Sequence, residues 1–172
     1  MPSAVIIRTG LPAGLERLRR RSVLDAQDGV PAHLTLLYPF FEPGGLDASV
    51  RRVIASVARR HAPFDFRLAG PARWPDTIYV AVTPANPFVA LQADLAATFP
   101  AYPIYGKPAD FAFVPHVTIA EGFAVDDPAT LADPGWADLP RPARAAALEV
   151  IADDGRGSRL VWRVRLTGHR RR

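Results

Sequence analysis

Apolar and polar positions alternate along this chain with two clear periods. Ala4-Val5-Ile6-Ile7 reads as a first strand, and Leu11, Leu15 and Leu18 then recur at helical spacing ahead of Arg19-Arg20-Arg21. Ala32 to Tyr38 alternates as a short strand bounded by Pro31 and Pro39, since proline gives no amide to a ladder. Val50, Val53, Ile54 and Val57 mark a helix capped by Asp47 or Ser49, with Arg51, Arg52, Arg59 and Arg60 on its other face. Phe64/Phe66/Leu68 and Ile78/Val80/Val82 predict two strands, with Gly70-Pro71 and Trp74-Pro75-Asp76 in the connection. Phe88, Leu91, Leu95 and Phe99 predict a helix ending before Pro100, and Ala101 to Asp110 reads as a loop. A strand is expected from Phe111 through His116. Beyond a proline-rich stretch from Trp136 to Pro142, Leu148–Ile151 and Leu160–Leu166 flank Asp153-Asp154-Gly155-Arg156-Gly157 as a hairpin.

The order is strand, helix, strand, helix, two strands, helix, strand, hairpin. It fits one α+β domain over residues 1–172, built from a duplicated module, with a basic tail at about 168–172. No Gly/Ser-rich linker divides it.

The duplication has chemistry in it. His33-Leu34-Thr35-Leu36-Leu37-Tyr38-Pro39-Phe40 is echoed 83 residues later by His116-Val117-Thr118-Ile119-Ala120-Glu121-Gly122-Phe123. In a strand, His and Thr at i and i+2 share one face while Leu34/Leu36 or Val117/Ile119 take the other. Two such strands brought together offer two imidazoles and two hydroxyls to one substrate. Histidine serves as both acid and base near neutral pH, and threonine hydroxyls donate to phosphoryl oxygens. That set suffices to hold and cleave a phosphodiester without a metal.

A lone His-x-Thr strand is ordinary, but two of only four histidines share this context. His61, at a helix end beside Arg59 and Arg60, and His169, in the basic tail, read as structural. Glu42 and Glu121 read as solvated acids.

Composition removes several alternatives. The chain has no cysteine, which excludes disulfides, thiolate metal sites and a cysteine nucleophile. Neither motif has a second His or a nearby Cys to complete a zinc site, and no phosphate-binding glycine loop or Gly-x-Ser-x-Gly elbow occurs. A net charge of +4, with every basic residue except Lys107 an arginine, mildly favours a phosphate-bearing partner. No apolar run reaches membrane-spanning length and no signal-peptide pattern opens the chain, so a cytoplasmic monomer without cofactor or membrane association is expected.

The motif pair, His33-Leu-Thr35-Leu and Pro115-His116-Val-Thr118-Ile-Ala, resembles the 2H phosphoesterase superfamily, in particular its 2′-5′ RNA ligase-like branch. The opening strand, the motif spacing and the Tyr102-Pro-Ile-Tyr105-Gly loop extend the likeness along the whole chain. The resemblance implies a bilobal α+β fold: two pseudo-symmetric antiparallel sheets, helices outside, a central cleft holding both motifs. It implies metal-independent work on RNA ends or nucleoside cyclic phosphates: opening 2′,3′-cyclic phosphates, cleaving 2′-5′ linkages, or reversible RNA end joining. One histidine would then be the base and the other the acid, with Thr35 and Thr118 the phosphate ligands; we assign His116 as the base and His33 as the acid, although the symmetry of the motifs allows the reverse.

Tyr38, Tyr105 and Lys107 are candidate substrate contacts, since aromatic and basic side chains stack bases and hold phosphates. Tyr38 lies on the opposite parity from Thr35 if the strand stays regular, and Tyr102 reads as loop packing. Lys107 stands where the branch often carries a second glycine. Arg163 and Arg165 face either solvent or the cleft. The rival function is a binding module that uses the same cleft for RNA or a phosphorylated ligand without turnover.

Overall fold

The computed structural model describes residues 2–108, 110–153, 155 and 157–168. Asp154 and Arg156 of the expected hairpin turn, and the tail from His169, lie outside the described residues. The elements are β1 (Ala4–Arg8), α1 (Ala13–Ser22), α2 (Leu24–Gln27), β2 (His33–Leu37), α3 (Ala48–Arg60), β3 (Phe64–Trp74), β4 (Thr77–Thr83), α4 (Asn86–Thr98), β5 (His116–Glu121), α5 (Pro128–Leu131), β6 (Arg141–Ala145), β7 (Ala147–Asp153) and β8 (Ser158–Arg165).

Two four-stranded sheets result, ordered β2-β1-β7-β8 and β5-β4-β3-β6, with antiparallel neighbours throughout. Each motif strand is an edge strand beside the strand that precedes it through a helix: β1 leads by α1 and α2 to β2, and β4 leads by α4 to β5. The helices cross over, α1 packing on β5 and α4 on β2. Each motif strand therefore rests on a helix from the other half of the repeat.

The alternating pattern decides which face is buried. Leu34 and Leu36 of β2 and Val117 and Ile119 of β5 are fully buried in one continuous core, with Leu15, Leu18, Ile54, Val57, Phe88 and Leu91 from the helices. Burying each such side chain stabilises the fold by about 1.5–3 kcal/mol, so the apolar face fixes the strand register and turns the His/Thr face outward. The start of α3 follows the expected cap: Asp47 accepts from the amides of Ser49 at 2.8 Å and Val50 at 3.0 Å. The Ser49 hydroxyl also donates to it at 2.6 Å, and this bond foremost, with the two amides, holds its carboxyl below the usual range.

Three elements differ from the sequence reading. Gly70-Pro71 lies inside β3 rather than in a turn, after a register shift between Leu68 and Gly70. β6 pairs only with Phe64–Leu68, so beyond that point one side of β3 needs no partner and a proline is tolerated. The second motif strand begins at His116, not Phe111, because Pro115 supplies no amide. The proline-rich stretch contributes β6, an edge strand whose Arg-Pro-Ala-Arg-Ala sequence has no apolar alternation to betray it. None of the helices among the described residues is long and apolar enough to cross a membrane.

Candidate active site

Both motif strands deliver their histidines with the same local device. His33 Nδ1 lies 2.8 Å from the carbonyl of Pro31, and His116 Nδ1 lies 2.7 Å from that of Val114. A carbonyl only accepts, so each Nδ1–H donates to it and each Nε2 is left to receive or release a proton.

The two rings come from different sheets into one cavity of about 470 Å³. Thr35 and Thr118 line it, as do Tyr38 and Tyr105. The structure thus brings together six of the seven candidate residues. Lys107 is exposed and lies outside this lining. Tyr38 reaches the cavity despite its parity because β2 has already ended at Leu37. Tyr105 is placed by a tight turn: its φ is 54°, and its amide donates to the Tyr38 carbonyl at 2.5 Å, tying the loop to the end of β2. Burial raises the Tyr105 phenol above its ordinary pKa, opposed by the Thr35 hydroxyl beside it. Tyr102 packs on Phe41, ring centroids 4.4 Å apart, in keeping with a loop-packing role.

The surroundings of the two histidines are unequal. Burial holds both below the ordinary imidazole pKa. For His33 the Pro31 carbonyl and the Asp25 carboxylate work against that, while Arg19 and His116 add to it. For His116 the only opposing influence is the Val114 carbonyl. Its neighbours are rings: the Trp74 indole at 4.7 Å and Tyr79 at 5.3 Å, between centroids, with Trp74 and Tyr79 in turn 4.2 Å apart.

Sequence reasoning missed Arg19, Asp25, Trp74 and Tyr79. Arg19 is 1% exposed, its Nη1 donating to the Val30 carbonyl at 2.8 Å and its Nη2 paired with Asp25. A signal was present, since Arg19 stands at i+4 from Leu15 on the apolar stripe of α1 whereas Arg20 and Arg21 point to solvent. Glu121, read as solvated, is exposed but borders the cavity, and burial together with Asp25 raises its carboxyl above the usual range while Arg19 opposes.

His61 and Arg163 have structural partners. His61 closes α3, its Nε2 2.9 Å from Asp94, which also receives Arg60. Arg163 pairs with Glu149 at 3.6 Å, away from the cavity lining. Among the described residues no three His, Asp or Glu side chains converge as a metal-ligand set.

The fold has known counterparts. The model of the 2′-5′ RNA ligase superfamily matches residues 8–156. The chain belongs to that superfamily. TT0787 of Thermus thermophilus shares the fold, at a TM-score of 0.62 and 20% identity over 99% of this chain and 100% of that one. So does Escherichia coli LigT, solved with 3′-AMP, at a TM-score of 0.56 and 19% identity over 95% and 97% of the two chains. A Bacillus pumilus (strain SAFR-032) protein named as a phosphoesterase is 33% identical over 101 residues, which span 57% of this chain and 56% of that relative. The chain spans just over half the length of that curated relative.

Proposed function

We propose that this chain is a 2H-type phosphoesterase acting on RNA-type phosphoesters, a 2′,3′-cyclic phosphate or a 2′-5′ linkage, by acid–base catalysis with two histidines and no metal. The single observation that carries the reading is that two His–Thr pairs from two sheets border one cavity, each imidazole with Nδ1 committed to a carbonyl and Nε2 available. Superfamily membership and the 3′-AMP bound by a neighbour of the same fold agree with it.

In hydrolysis, the His116 Nε2 takes a proton from water as the water oxygen bonds to phosphorus. The bond from phosphorus to the ribose oxygen breaks, and His33 Nε2–H gives its proton to that oxygen. Thr35 and Thr118 donate hydrogen bonds to the non-bridging oxygens. The division of labour between the histidines follows their surroundings. Asp25 favours the protonated form of His33, as an acid needs, whereas at His116 burial favours the neutral base and only the Val114 carbonyl opposes it. With a ribose hydroxyl in place of water, the same proton transfers join ends: His116 takes the hydroxyl proton as its oxygen bonds to phosphorus, and the ring oxygen of the cyclic phosphate leaves with the proton from His33.

The test is turnover of nucleoside 2′,3′-cyclic phosphates in the presence of EDTA. Activity should persist with a bell-shaped pH dependence, and His33→Ala and His116→Ala should each lower kcat by at least about 100-fold. Unchanged activity in both variants would sink the proposal, and salt-dependent binding of the nucleotide with no product would establish the binding module instead.

A further inference from the structure

The charges around the cleft run against those of the chain as a whole. The chain carries a net charge of +4. Yet the described residues bordering the cavity include four acidic ones, Asp25, Asp28, Glu121 and Asp153, and one basic one, Arg19.

Arg19 does not offset the four. It is 1% exposed, its Nη groups are taken by Asp25 and the Val30 carbonyl, and its Nε is a buried donor without a partner at the cavity wall. Its positive charge is matched by Asp25 within the wall. Asp28, Glu121 and Asp153 remain, and among the described residues none of them is in an ion pair. They stand on both sides of the cleft: Glu121 ends β5 of one sheet, Asp153 ends β7 of the other, and Asp28 follows α2. Carboxylates only accept hydrogen bonds, so they suit ribose hydroxyls and exocyclic amines and repel a phosphate.

We propose that the cleft selects a substrate bearing one phosphate, a nucleoside cyclic monophosphate, and that Asp28, Glu121 and Asp153 reject a second phosphate, whether a 5′-phosphate or the next phosphate of an RNA strand. The proposal rests on the reading above for where the reacting phosphate sits. It narrows the substrate from RNA ends to small cyclic nucleotides.

The experiment uses pairs of ligands that differ by one phosphate. As substrates these are adenosine 2′,3′-cyclic monophosphate and its 5′-phosphorylated form; as ligands read by calorimetry they are adenosine 3′-monophosphate and adenosine 3′,5′-bisphosphate. The added phosphate should lower kcat/KM and raise Kd by about tenfold or more at low ionic strength, with the gap closing at high salt. Asp28→Asn, Asp153→Asn and Glu121→Gln, made singly and together, should narrow the same ratio. Asparagine at 153 keeps an acceptor for the Gly155 amide, now 2.7 Å from Asp153 Oδ1, so the turn is preserved.

Equal or tighter binding of the bisphosphate, a ratio unmoved by the three substitutions, or binding of neither nucleotide would overturn the proposal. Discrimination in Kd with no turnover of either substrate would sink the hydrolytic reading and leave the charge selectivity standing.

Discussion

The imidazole of His116 meets the indole of Trp74 edge to face, ring centroids 4.7 Å apart and planes at 81°. Trp74 ends β3 and His116 begins β5, and β4 between them contributes Tyr79 to the same stack. The ring is therefore fixed at two points, by its Nδ1 bond to Val114 and by this aromatic wall. Trp74→Ala removes the wall and keeps the bond. The expected outcome is a fall in kcat of about tenfold from the loosened ring, most of it restored in Trp74→Phe. Hydration of the site also raises the His116 pKa toward its ordinary value. With His116 as base, the acid limb of kcat/KM moves to higher pH, a shift that mere loss of stability would not produce. NMR titration of the ring checks the direction separately.

Asp25 provides the complementary test at His33. Its carboxylate favours the imidazolium, and Arg19, which it neutralises, disfavours it. Asp25→Asn removes the first influence and unmasks the second, so the His33 pKa falls further. With His33 as acid, the alkaline limb of the pH–rate profile moves to lower pH. An alkaline limb that stays put or rises would refute the assignment of His33 as acid. The buried Arg19 also loses its charged partner, at a cost of about 1–3 kcal/mol measurable by urea denaturation.

The repeat and its two histidines are readable because strand alternation is a strict physical rule. Once Leu34/Leu36 and Val117/Ile119 are buried, His33/Thr35 and His116/Thr118 must share the opposite face. The edge strand β6 is not readable, since a short edge pairs through its backbone and asks little of its side chains. Trp74 reads as part of a turn because Pro75-Asp76 follows it, and its contact with His116 depends on the register of β3, β4 and β5, which residue spacing does not encode. Lys107, like Tyr105, is a candidate drawn from side-chain type in a loop with no positional constraint, and it lies outside the cavity lining whereas Tyr105 lies within it. Arg19 marks the converse case. A charge on an apolar stripe is a local conflict with the fold, and such conflicts gather where function is built.

The depressed pKa values of both histidines also predict how stability varies with pH. In the unfolded chain each titrates near 6.5; in the fold each titrates lower because burial penalises the charge. Between those values the unfolded state binds more protons, so their contribution to stability is intact above about pH 6.5 and is lost as pH falls through the folded pKa. Glu121, raised from 4.5, works in the opposite sense at lower pH. Comparing the chain with His33→Gln/His116→Gln isolates the histidines. The unfolding free energy from chemical denaturation should drop less between pH 7.5 and 5.5 (about one unit either side of 6.5) in the double variant. An equal or steeper drop would show that the rings are not held neutral by the fold.

Two glycines set the position of α1, and through it Arg19. Gly14 and Gly135 meet backbone to backbone: a Cβ on Gly14 would lie 2.7 Å from the Gly135 Cα, and one on Gly135 would lie 2.7 Å from the Leu15 amide nitrogen. Neither obstacle is a side chain that can swing away, so an added methyl displaces the helix. α1 carries Leu15 and Leu18 into the core and Arg19 to the cleft wall, so this displacement strains packing and the site together. Gly14→Ala and Gly135→Ala should each cost about 1–3 kcal/mol in urea denaturation. Each should also lower kcat at temperatures where the variant stays folded, because the Arg19–Asp25 pair moves relative to His33. Gly10→Ala is the control: a Cβ there meets nothing within 4 Å, and its φ lies outside the left-handed region. It should leave stability within about 0.5 kcal/mol and activity unaltered. Equal behaviour of Gly10→Ala and Gly135→Ala would show that the close approach does not position the helix.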